Sequence, residues 1–227
     1  MGDCINMEKL KVASLFCGCG GMDLGMLGGF VYLEKEYSAL PFEIVYALDN
    51  DSYAAKIYNA NFVHKCEIGD VREIQYEKVP NHDLLIGGFP CQSFSIVAQN
   101  PPRLGYKDER GKLFFEMVKL LKDKSPRVFI AENVKGLLSV NNIKAFPMII
   151  AEFENAGYYV KSKLLNSSDY SIPQKRERVF IIGFKKYEDY INFDFPPQVS
   201  HGNDRKKLKL VVEKNTVIDE KYYFSER

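Results

Sequence analysis

No apolar run in the 227 residues approaches the ~18 needed for a membrane helix, so the sequence does not read as a membrane protein. The opening Met1-Gly2-Asp3-Cys4-Ile5-Asn6-Met7-Glu8 lacks the basic and apolar regions of a signal peptide. Cysteine is sparse: Cys4, Cys17, Cys19, Cys66 and Cys91 are odd in number and scattered, which argues against a disulfide framework. Cys17 and Cys19 have no second cysteine or histidine pair at ligand spacing, which argues against zinc. A reducing cytoplasm is the expected setting. Charge of one sign is also missing, since the formal net charge is only +1. That is far from a dedicated nucleic-acid footprint. The charge is nevertheless uneven. Residues 1–160 carry 17 Lys and Arg against 20 Asp and Glu, whereas 161–227 carry 14 against 10, a tilt compatible with a polyanion meeting the C-terminal part. Internal repeats and low-complexity segments are absent.

What is present is an ordinary globular composition, 46% hydrophobic and 27% charged, in a chain long enough for one sizeable core. Short apolar runs alternate with helical stripes. Lys11–Phe16 reads as a first strand, and Met22, Leu24, Met26, Leu27 and Phe30 as a glycine-weakened helix. Phe42–Leu48 reads as a second strand, followed by a helix over 51–60. A third strand is expected near 64–67 and a fourth at Asp83–Ile86. Leu113, Phe114, Met117, Val118, Leu120 and Leu121 form a helical stripe, and 127–131 a fifth strand. Phe146, Ile149, Ile150 and Phe153 mark a further helix, with Pro147 tolerable in its first turn. This alternation predicts an α/β fold, a doubly wound, mostly parallel sheet with helices on both faces. Residues 158–165 and 178–184 are joined by a segment too short and polar for a crossover helix, so they should pair antiparallel at a sheet edge. Residues 1–197 are expected to form the catalytic domain, and 198–227 a charged extension or the start of another.

Six stretches could carry chemistry. Phe16-Cys17-Gly18-Cys19-Gly20-Gly21-Met22-Asp23 follows a strand and opens a helix, placed to hold a nucleotide-like ligand. It misses the dinucleotide pattern because the third glycine falls at Asp23, an acid that would repel a pyrophosphate at a helix start. A nucleoside without phosphates suits it better; the alternative is a tight turn with no ligand. Asp49, at the end of the second strand, can accept both ribose hydroxyls, while Asp51 reads as a helix N-cap. Asp70 suits an adenine amino group. Gly87-Gly88-Phe89-Pro90-Cys91-Gln92-Ser93-Phe94-Ser95 places a cysteine just past a buried strand, where a rigid loop can aim a thiolate. Taken alone, that cysteine could as well be buried and inert. Glu132 closes the fifth strand, and a carboxyl held partly dry there can donate a proton or hydrogen bond. Arg176 and Arg178 point the same way if their segment is extended, suiting a phosphate, a base carbonyl or a carboxylate.

These blocks, in this order and spacing, resemble the bacterial cytosine-5 DNA methyltransferases. Phe16-x-Gly18-x-Gly20-Gly21 is similar to their S-adenosylmethionine (SAM) loop. Gly88-Phe89-Pro90-Cys91-Gln92-Ser93-Phe94-Ser95 is similar to their catalytic loop. Glu132-Asn133-Val134 and Gln174-Lys175-Arg176-Glu177-Arg178-Val179 are similar to two further signature blocks, and Arg110–Phe115 and Asp169–Pro173 also fit. The resemblance spans residues 11–197 and implies the SAM-dependent methyltransferase, Rossmann-like variant of the doubly wound sheet. It implies that Cys91 attacks carbon 6 of a flipped cytosine, that Glu132 contacts the ring nitrogen and exocyclic amine, and that Arg176 and Arg178 hold the base. Gly18, Gly20, Gly21, Phe16, Asp49, Asn50, Asp70, Val71, Pro90 and Leu113 match cofactor positions. Gln92, Ser95 and Asn133 match substrate-binding positions. The cofactor would be SAM, leaving S-adenosylhomocysteine, and the partner double-stranded DNA.

The sequence departs from the family's pattern in places. Asp49 stands where the family usually has Glu, one methylene longer. Ser14 replaces a common Asp before the glycine loop. The family's target-recognition domain and closing blocks are not visible, which leads to the expectation of a truncated chain or of a second subunit carrying recognition. Three competing readings remain at this stage. A cysteine hydrolase would need a histidine base, and His64, His82 and His201 lie in no comparable block. A non-catalytic SAM-binding partner subunit is a second alternative, and a tRNA cytosine-5 methyltransferase a third.

Overall fold

A computed structural model of the chain describes residues 8–90, 112–139 and 145–212. Its contacts divide into two units, one of residues up to 165 with 177–196, the other of 166–176 with the residues from 197 onward.

The first unit is built on a seven-stranded sheet. Its strands are β1 (Leu10–Leu15), β4 (Phe42–Asp49), β5 (Glu67–Ile68), β6 (Leu84–Gly87), β7 (Val128–Val134), β8 (Tyr159–Asn166) and β9 (Glu177–Phe184), in the order β5-β4-β1-β6-β7-β9-β8. Neighbours from β5 to β7 run parallel, and β9 runs antiparallel to β7. The expected architecture is present. The expected pair lies at one edge of the sheet, with β9 between β7 and β8 and β8 outermost. The apolar runs explain the interior. β6 is buried throughout, and Val179, Ile181, Ile182 and Phe184 of β9 are buried as well.

Helices cover both faces. α3 (Lys112–Lys124) and α4 (Ala145–Asn155) bury Phe114, Met117, Leu121, Ile149 and Phe153 with Leu85, Phe129 and Ile181. Pro147 falls at the third residue of α4, in its first turn, where its missing N–H costs nothing. α1 (Gly21–Leu27) and α2 (Ser52–Asn61) contribute Met22, Met26, Ala55 and Tyr58 to the other layer, with Val12, Ile44, Ala47 and Ile86. Asp51 caps α2, accepting from the N–H groups of Tyr53 and Ala54.

Four local readings are corrected. The first helix stops at Leu27, because Gly28 (φ 63°) leaves the helix with its N–H on the Leu24 carbonyl, so Phe30 lies outside it. Within that helix the buried residue is Asp23, while Leu24 is 41% exposed. The third strand falls at Glu67–Ile68, slightly later than expected. A hairpin, β2 (Phe30–Tyr32) with β3 (Lys35–Tyr37), and a short helix α5 (Tyr187–Asn192) lie outside the elements expected from sequence. The hairpin turns through Leu33 (φ 46°) and Glu34 (φ 65°), neither a residue that announces such a turn, and the stacked Phe30 and Tyr37 rings hold it.

In the second unit, Asp169 is the staple. Its carboxylate accepts from Gln198 and Arg205, and its carbonyl accepts from the N–H groups of Val199 and Ser200. Ser167 N–H donates to the Arg176 carbonyl, closing the turn. Among the described residues, no helix is long and apolar enough to cross a membrane.

Candidate active site

The parallel strands β1, β4 and β6 end on one edge, and there a cavity of about 380 Å³ opens. Phe16, Asp49, Asn50, Asp70, Val71, Pro90 and Leu113 line it, all singled out from sequence, together with Leu48, Gly69 and Arg72, which were not. The glycines act on the loop rather than on the wall. Gly18 N–H donates to Asp49 Oδ2 (2.7 Å), Gly20 N–H to the Cys17 carbonyl, and Cys17 N–H to the Leu48 carbonyl. Gly20 is fixed by sterics as well as by φ 87°. A Cβ there would stand 2.2 Å from Cε2 of Phe62, whose ring stacks on Tyr58. Phe16 carries φ 55°, a conformation that costs an aromatic L-residue roughly 1–2 kcal/mol.

The acids differ in what they already hold. Asp49 accepts backbone N–H groups on both oxygens, from Gly18 and from Asp51, and a carboxylate has further lone pairs for a ligand. Asp70 accepts from the Arg72 backbone and side chain, and these bonds hold its carboxyl below the usual carboxylate range. Arg72 was missed because a basic residue after Gly69-Asp70-Val71 reads as a surface charge until its fork is seen on Asp70. Asp23 does not face the cavity. It is fully buried, accepting from Ser14 Oγ and from Tyr58 OH at 3.0 Å each, so it cannot act as the repelling acid at the helix start. Cys17 and Cys66 are buried free thiols with Sγ atoms 3.3 Å apart, and burial pushes both thiol pKa values up.

The second half of the site lies where β6 and β7 end. β6 leads through Gly88 and the buried Phe89 to Pro90; Cys91, Gln92 and Ser95 lie outside the described residues. Glu132 Oε1 pairs with Arg178 Nε at 2.7 Å, each side chain about a fifth exposed, and a Cβ added to Gly88 would come 3.3 Å from Glu132 Oε2. This pair therefore borders the stretch that delivers Cys91. Asn133, expected to touch substrate, is instead 2% exposed and donates from Nδ2 to the Phe89 carbonyl at 3.0 Å. Its amide braces the backbone leading to Cys91, because alternation along β7 turns it away from the face bearing Glu132. Arg176 is exposed and precedes β9, which begins at Glu177, so the strand alternation assumed for Arg176 and Arg178 does not extend to it.

A nucleoside-sized acidic cavity at the carboxyl edge of this sheet defines an α/β protein of the SAM-dependent methyltransferase fold. The fold alone is shared with a triple mutant of Spodoptera frugiperda DNMT2 (TM-score 0.66, 21% identity, covering 94% of this chain and 62% of that one). It is shared likewise with S. pombe Dnmt2 (TM-score 0.58, 22% identity, 84% and 52%). More particularly, the chain belongs to the C-5 cytosine-specific DNA methylase family, whose model matches residues 10–227. It is 40% identical over 220 residues to the type II methyltransferase M.Bsp6I of Bacillus sp. (strain RFL6), covering 96% of this chain and 64% of the relative. It is 44% identical over 200 residues to M.FnuDI of Fusobacterium nucleatum, covering 88% and 54%. The chain thus spans between half and two thirds of the length of these relatives.

Proposed function

We propose that this chain carries the cofactor-binding and catalytic chemistry of a DNA (cytosine-5-)-methyltransferase, moving a methyl group from SAM to carbon 5 of a cytosine flipped out of duplex DNA. One observation supports this most. The stretch Gly88-Phe89-Pro90 touches both halves of the site, lining the acidic cavity through Pro90 and bordering the Glu132–Arg178 pair through Gly88. The residue it delivers next is Cys91. The family match and the type II relatives favour DNA over tRNA and favour an enzyme over a silent partner subunit.

The cavity fits SAM by its chemistry. It is within the size range of small-molecule sites, and its two carboxylates suit the hydroxyls and amine of a nucleoside. Asp49 would take the ribose hydroxyls and Asp70 the adenine amino group, with Phe16, Asn50, Val71, Pro90 and Leu113 around them. SAM supplies an electrophilic methyl group. The Cys91 thiolate would add to carbon 6, which makes carbon 5 nucleophilic; once carbon 5 has taken the methyl group and S-adenosylhomocysteine is left, carbon 5 gives its proton to water and the electrons of that bond re-form the ring double bond and expel Cys91 as thiolate. Glu132, oriented by Arg178, contacts the ring nitrogen and exocyclic amine and steadies the charge that builds as the adduct forms. Flipping is required because carbon 6 is inaccessible in the stack. Gln92 and Ser95 would touch the DNA backbone, and Arg178 would help hold the base. Target recognition is assigned to a second chain or to a further segment of a longer chain, and the setting to the cytoplasm.

Duplex DNA containing 5-fluorocytosine tests this, because fluorine at carbon 5 blocks release of the adduct. With SAM present and target recognition supplied, by a second chain or by the longer chain, the wild type should become covalently attached to DNA, and Cys91→Ala should not. An adduct in the variant, or none in the wild type, overturns the reading.

A further inference from the structure

Asp23 is fully buried, and desolvation disfavours its ionised form. Replacing a buried ion by a well-packed apolar residue is often neutral or stabilising, so its presence calls for a role other than stability. Its two hydrogen bonds supply one. Ser14 Oγ, near the end of β1, donates to Asp23 Oδ2, and Tyr58 OH, in α2, donates to Asp23 Oδ1. Ser14 precedes the glycine loop and Asp23 follows it, so the carboxylate ties together the two ends of the loop. Tyr58 then extends the tie into the loop. Its ring stacks on Phe62 with centroids 4.4 Å apart, and the two rings form the surface against which Gly20 is seated. Between these anchors lie three positive-φ residues, Phe16 (55°), Gly18 (55°) and Gly20 (87°). Phe16 among them forms the cavity wall.

We propose that Asp23, with Ser14 and Tyr58, is a positioning device that holds the glycine loop in its cofactor-accepting form. None of the three lines the cavity; they act through Phe16, Gly18 and Gly20. A backbone strained at Phe16 persists only where its surroundings over-determine it, and the clamp supplies that determination. The pairing also accounts for the serine at position 14. An aspartate there would face Asp23 at hydrogen-bond distance and set two carboxylates against each other, whereas a hydroxyl donates. The inference rests on the reading of the cavity as the SAM site and deepens it.

The test uses the whole chain, with S-adenosylhomocysteine and SAM as probes in calorimetry. Tyr58→Phe keeps the ring stack and the seat of Gly20 and removes only the hydroxyl; Ser14→Ala removes the other donor. Each should weaken binding on the order of tenfold, the scale of a lost hydrogen bond to a charged group. In turnover assays with target recognition supplied, KM for SAM should rise more than kcat falls. A merely structural role would lower the melting temperature and leave affinity unchanged well below it. That result in both variants overturns the inference. Asp49→Asn separates this from failure of the cavity reading. If Asp49→Asn weakens binding and the clamp variants do not, only the clamp is wrong. If the wild type fails to bind either probe, or Asp49→Asn has no effect, the cavity reading falls and takes the clamp with it.

Discussion

At the scale of single residues, Asp23 shows how much meaning a side chain gains from its surroundings. Near the start of a glycine-rich turn it reads as an acid facing a ligand. In the fold it is dry, and burial raises its carboxyl pKa against the opposing pull of the Tyr58 and Ser14 hydrogen bonds. The consequence for stability has a definite sign. An acid with a raised folded pKa holds its proton more tightly when folded than when unfolded. Its contribution is therefore fully present below the ordinary carboxyl value of 3.8 and is lost as pH rises through the folded value. Asp23→Asn imitates the protonated form at every pH. Its melting temperature should therefore gain on the wild type as pH rises from about 4 to about 8. A difference that stays flat across that range would contradict the buried, reluctant ionisation described here. Asn133 teaches the same lesson. Its place beside Glu132 was legible, but its partner, the Phe89 carbonyl, required the strand register.

Among the elements, the short continuous apolar runs were readable because burial on both faces of a parallel sheet demands continuous hydrophobicity. β1, β4, β6 and β7 fall where that pattern puts them. The hairpin β2–β3 was not readable, since its turn uses Leu33 and Glu34 in place of the Asn-Gly or Asp-Gly pairs that mark positive φ. Glu34 is exposed with φ 65°, so Glu34→Gly relieves left-handed strain and gives back part of the gain through a freer unfolded chain. The net should be a stabilisation of about 0.5–1 kcal/mol, read as a higher urea midpoint at unchanged slope. An unchanged or lower midpoint would mean that the turn is not strained. The order of the final strands was likewise out of reach. Local pattern pairs β8 with β9, but only the whole sheet decides that β9 inserts beside β7.

For the whole molecule, the question is which cytosine the site meets. The relatives M.Bsp6I and M.FnuDI are longer than the region they share with this chain, and the formal net charge here is only +1. Incubated alone with SAM and DNA, the chain should transfer little methyl, and adding a polypeptide that carries a recognition domain should restore sequence-specific transfer. Full site-specific methylation by these 227 residues alone would refute the proposal that recognition lies outside them. By itself the sequence determined the alternation of strands and helices, the family blocks and most of the cavity wall. Those depend on local periodicity and on residue types at fixed spacing, both of which a linear chain displays. Tertiary structure decided which acids face the cavity and which are spent elsewhere: Asp49 open to a ligand, Asp70 held by Arg72, Asp23 locked inward by Ser14 and Tyr58. A carboxylate's role is set by the donors and dielectric around it, and residues distant in the chain bring those only when the sheet is assembled.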